Sequence, residues 1–135
     1  MKQLLTIAIT IVVFISCKKD NTASLRWQLA GEWEYVTFSG YPFLNNALPP
    51  GNGRIVVFGT NGNFERRQHD TLLFKGNYQL NERKDCYGDE KKIFLIHNDP
   101  VFIKDDYVHI TADGFLHISS PNCYQDGGTS IYRKL

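Results

Sequence analysis

The side chains able to do chemistry in this chain are few: three cysteines, four histidines and some clustered carboxylates. His109 and His117 flank Ala112-Asp113-Gly114, a three-residue turn signal with Gly114 at the left-handed bulge position. A hairpin closed there sets the two imidazoles opposite each other on its outer face, close enough to share a metal ion. Structural zinc wants about four ligands and no third is apparent, so the pair is read as two exposed histidines and no metal is assigned. His69 and His97 have no evident partners. Glu32 and Glu34 alternate around Trp33 and share a strand face, where two acids are ordinarily solvent-facing rather than an acid–base pair. No serine or cysteine nucleophile stands at a recognisable spacing from a histidine, and there is no phosphate-binding loop. Catalysis is not expected, and no cofactor is implied.

Binding is better served. The stretches 54–59 and 63–68 form a hairpin around Thr60-Asn61-Gly62. A three-residue loop pairs Phe58 with Phe64 and Val56 with Arg66, which matches like faces and so sets the register. It also sends Arg66 and Gln68 to the side of Phe58. In the next strand, 72–80, Phe74, Gly76, Tyr78 and Leu80 share one face. Phe58, Phe64, Arg66, Gln68 and Tyr78 are therefore the candidate ligand-binding set, suited to a small ligand with a mostly apolar body and an anionic head.

Cys17 has a different chemistry. Met1-Lys2-Gln3 gives a positive start and 4–15 an apolar segment, the layout of a secretory signal and too short to span a bilayer. Phe14-Ile15-Ser16-Cys17 resembles the lipobox of bacterial lipoproteins. The resemblance implies a diacylglyceryl thioether on Cys17 Sγ, cleavage before Cys17, and acylation (palmitate, for example) of the new amine. Two or three acyl chains anchor stably, where one is marginal. Residues 1–16 are then a removed signal peptide, and 17–24 are the lipidated N-terminus and a flexible polar tether. By the same resemblance, Lys18 in place of Asp after the cysteine implies an outer-membrane lipoprotein of a bacterial cell envelope, on either the periplasmic face or the cell surface.

Outside the cytoplasm the remaining pair, Cys86 and Cys123, suggests a disulfide. In a strict meander their loops leave at opposite ends. Either the loop around Cys86 climbs the wall, or 101–103 adds a short strand that changes the parity, or the thiols stay reduced.

Fifteen basic residues face fourteen acidic ones, and Lys2 leaves with the leader. That balance carries no footprint for nucleic acid and no polybasic membrane signal. Aromatics make up 13% of the chain, and its apolar runs are rich in Tyr, Phe, Val, Ile and Thr, the composition of strands. Residues 24–29 form a helical turn with Leu25 and Leu29 on one face. Strands follow at 31–38, 54–59, 63–68, 72–80, 92–97, on both sides of the 112–114 turn within 107–119, and at 130–135, with loops at 40–53, 81–91 and 120–129. Ile110 opposes Leu116 and Val108 opposes Ile118, all four toward the core. Eight strands joined to sequence neighbours without helical crossovers predict an all-β, up-and-down antiparallel barrel over 25–135.

The helical turn, Gly31-Glu32-Trp33 opening the first strand, the long first loop, the meander and the ending Ile131-Tyr132-Arg133-Lys134 together resemble a lipocalin-like bacterial lipoprotein. The resemblance implies that Arg133 packs across Trp33 and closes the barrel floor as a cation–π pair. It implies a small barrel that holds one small apolar ligand under a lid at 41–48, or a filled one that displays its loops to another envelope protein.

Overall fold

Leu25 and Leu29 lie one helical turn apart, and burying both is what gives the short N-terminal helix its place in the fold. In the computed structural model, which describes residues 21–40, 47–100, 105–124 and 126–135, helix α1 covers Asn21–Leu29. Residues 21–24, expected as the end of the tether, form its first turn. The helix ends against strand β1 (Gly31–Gly40): the Trp33 indole N–H donates to the Leu29 carbonyl at 2.7 Å, and the Lys134 ammonium donates to the Gln28 carbonyl at 3.0 Å. Both satisfy carbonyls left open at the helix C-terminus, and the cation also suits the negative end of the helix dipole.

The remaining strands are β2 (Arg54–Phe58), β3 (Asn63–Gln68), β4 (Thr71–Lys84), β5 (Lys91–His97), β6 (Asp106–Ile110), β7 (Phe115–Ser119) and β8 (Gly128–Lys134). Each pairs antiparallel with its sequence neighbour, and β8 returns to β1, closing an eight-stranded up-and-down barrel. Two turns fix the register. Phe58 faces Phe64 and Val56 faces Arg66 across the β2–β3 turn. Val108 faces Ile118 and Ile110 faces Leu116 across the β6–β7 turn. Gly62 and Gly114 adopt φ of 86° and 85° at the closing positions, a backbone that side-chain-bearing residues resist.

Alternate residues of every strand point inward. Leu25, Leu29, Trp33, Phe58, Phe64, Tyr78, Leu95, Val108, Leu116 and Tyr132 belong to one buried core that α1 seals from below. Strand β4 is longer than its apolar stretch predicts, because 81–84 pair with 91–94 of β5.

The expected contact of Arg133 with Trp33 is not made. Trp33 is opposite Lys134 in the register, and the Lys134 Nζ is the cation over its ring, at 5.2 Å from the centroid. Arg133 is opposite Glu34 and shares its outward face, with 3.2 Å between Arg133 Nε and Glu34 Oε2. Strand alternation decides the matter, since neighbouring residues of β8 cannot both face Trp33.

Cys86 and Cys123 are bonded, with Cα atoms 5.5 Å apart. β5 pairs directly and antiparallel with β6, so the parity of the meander is unchanged; the short strand expected at 101–103 lies outside the described residues. The two loops instead meet on the outer wall. Asp85 accepts hydrogen bonds there from Lys92 Nζ at 2.8 Å, from the Cys86 N–H at 2.7 Å and from the Asn122 N–H at 3.4 Å, while Lys92 lies over the Tyr107 ring. The hydrogen bond from Lys92, helped by the two backbone donors, holds the Asp85 carboxyl below its ordinary value despite its burial.

Candidate functional site

Strands β2 and β3 meet at their open ends beside β1 and β8, and between them a cavity of about 320 Å³ opens at the barrel end opposite α1. Its walls are Tyr35, Val56, Tyr132 and Ser130, with Arg54, Arg66 and Gln68 toward the mouth and Ile55, Arg67 and Leu73 at the margin. The Tyr35 and Tyr132 rings meet edge to face at 5.7 Å, a favoured aromatic geometry. Burial pushes the Tyr132 hydroxyl well above the ordinary tyrosine range, so it is a neutral donor at any physiological pH.

The expected binding set divides here. Arg66 and Gln68 do line the cavity. Phe58, Phe64 and Tyr78 do not: they lie one layer deeper in the barrel, packed on one another. Phe58 stands 5.2 Å from both Phe64 and Tyr78 between ring centroids, and the Tyr78 hydroxyl donates to the Gly59 carbonyl at 2.9 Å. All three are at most 2% exposed. The physical reason is the taper of a small barrel, in which inward aromatics at the helix-capped end fill the lumen and leave room only above them.

Arg66 is held from within. Its Nε is 2.7 Å from Asp99 Oδ2 and its Nη2 3.2 Å from Oδ1, and the Asp99 side chain is wholly buried. The fork-on-carboxylate geometry is the strongest an arginine makes. The Asp99 N–H donates to His97 Nδ1 at 3.2 Å, which leaves the proton of the neutral ring on Nε2, 3.9 Å from Asp106 Oδ2. Burial raises the Asp106 carboxyl above its ordinary value, against the opposing pull of His97. These groups form a buried polar side to the barrel interior, and His97 stacks on Phe64.

Compared with protein-family models, with curated proteins and with solved structures, the chain matches none.

Three residues of this network stand apart from the sequence expectations. His97 has partners after all, and Asp99 and Asp106 join it although neither stands out in the sequence as a site residue. Two of them carried a signal. Asp106 is in phase with Val108 and Ile110, and His97 with Ile93 and Leu95, so both share a core-facing set. Asp99 carried none, because the arginine it pairs with is 33 residues away and is brought near only by the β3–β4–β5 pairing.

His109 and His117 do face each other, at 4.9 Å between ring centroids. Among the described residues no third metal-binding side chain joins them. Neither histidine is exposed as expected: both are half-buried, and His109 stacks on Tyr107 at 5.0 Å. Glu34, expected at a solvent face, is 2% exposed. The connection before β2 folds over it, and its carboxylate accepts from the Gly51 and Gly53 N–H groups at 3.1 and 3.2 Å. Glu32, its neighbour on that face, stays exposed and pairs with Arg67. Most of the expected lid, 41–46, lies outside the described residues.

Proposed function

We propose that this chain is a lipid-anchored protein of the bacterial cell envelope, with a lipocalin-like barrel that takes a small, mostly apolar ligand at its mouth. The observation that carries the binding reading is the cavity of about 320 Å³ between Tyr35, Val56 and Tyr132, within the range of small-molecule sites though at its lower end. Its depth is limited by the packed Phe58–Phe64–Tyr78 layer, so the ligand sits shallowly and keeps one end in water.

The anchor reading rests on the lipobox-like Phe14-Ile15-Ser16-Cys17, and the fold gives it a consequence. Cys17 precedes α1 by four residues, a reach of about 14 Å at full extension. The acyl chains would therefore hold the helix-capped end next to the outer membrane and turn the mouth away from it. Ligand would come from the aqueous side.

The packed layer also favours a second reading, a filled barrel that serves as an interaction or structural module and carries no ligand. Native mass spectrometry of the protein extracted from its own membrane separates the two. A releasable small-molecule adduct supports the ligand reading, and a bare polypeptide with its acyl chains supports the module.

A further inference from the structure

Within the mouth reading just given, on which this inference rests, we propose that the ligand carries an anionic group and that Arg54, not Arg66, receives it. Among the described residues the lining of the cavity holds arginines and no carboxylate. Arg66 and Arg67 are already committed. Arg66 is clamped by Asp99, and drawing it off toward a ligand would strand a wholly buried carboxylate. Arg67 is shared between Glu32 and Glu65, at 3.1 and 2.5 Å. Arg54 opens β2 at the rim, is exposed, and makes no ion pair among the described residues. Its guanidinium lies over the Tyr35 ring at 5.8 Å from the centroid. That contact orients the planar fork beside the cavity without using its charge on an acid.

The same geometry describes the rest of the ligand. Tyr35 and Tyr132 offer aromatic walls and Val56 an aliphatic one, so the body is flat and apolar and of limited size. The head is a carboxylate, sulfonate or phosphate ester, groups a guanidinium meets with two parallel hydrogen bonds.

Two fluorescent probes with one ring framework test this: 1-anilinonaphthalene-8-sulfonate, and N-phenyl-1-naphthylamine, which lacks the sulfonate. Each is titrated into the wild type and into Arg54→Gln, with thermal melts to show that the variant is folded. The expected result is that Arg54→Gln weakens the sulfonate probe about tenfold, the loss of one charge-assisted contact, and leaves the amine within about twofold. An unchanged sulfonate affinity, or an equal loss for both probes, overturns the assignment of the anion to Arg54. Wild-type protein that binds the amine and not the sulfonate overturns the anionic class while sparing the mouth. Protein that binds neither probe overturns the mouth reading, and this inference with it.

Discussion

At Glu34 the fold sets a carboxylate where only protein can solvate it. Two backbone N–H groups and the Arg133 guanidinium do so, and together they pin the 47–53 segment against β1. Truncation at Glu34→Ala would leave Arg133 without its counter-ion and two amides unsatisfied, a loss of about 3 kcal/mol in urea denaturation. A change near zero would mean that the loop, not the carboxylate, holds that wall. His109 makes a pH statement. Burial chiefly, then the nearby His117 and Lys92, lowers its pKa in the folded state. The unfolded chain therefore takes up a proton first as pH falls. Stability is present above the ordinary histidine value of about 6.5 and is lost as pH drops through the lower folded value. Melts from pH 7 to pH 5 are expected to fall more steeply for the wild type than for His109→Gln. Parallel profiles would show that another group sets the slope. Residue roles of this kind were only half legible. Alternation could mark His97 and Asp106 as inward, but no local pattern shows that Glu34 will be covered or that Asp99 will meet Arg66.

Strands and turns were the most legible scale, for a physical reason. A three-residue loop with a glycine at the left-handed position leaves one register that keeps apolar faces together, so Phe58 opposite Phe64 and Val108 opposite Ile118 follow from the sequence. The start of α1 and the length of β4 do not, because polar residues at 21–24 and 81–84 are ordered by what they pack on or pair with. The Cys86–Cys123 bond is the clearest case of tertiary override. Strand parity sends the two loops to opposite ends, yet Asp85 and Lys92 bring them together on the outer wall. That bond closes a loop of 37 residues, and in the chain-entropy picture opening it removes about 4 kcal/mol. Reduction, or the double change Cys86→Ser with Cys123→Ser, is expected to lower the melting temperature clearly. An unshifted melt would show that the Asp85 hydrogen bonds hold the wall unaided.

Among the described residues the molecule as a whole is a barrel with one sealed end and one open one. α1 and Trp33 seal the end that the N-terminus enters, and Tyr35, Arg54, Val56 and Tyr132 frame the other. The anchor claim belongs to this scale: labelled palmitate is expected to mark the wild type and not Cys17→Ala, and equal labelling would remove it. The central claim is that the mouth holds a small ligand. Native mass spectrometry of membrane-extracted wild type beside Ser130→Trp, which fills the cavity from its β8 wall, addresses that claim most directly. The expected spectrum shows an adduct on the wild type that collisional activation releases and that the folded variant lacks. A wild type without adduct, or one whose adduct survives the filling of the mouth, would contradict it.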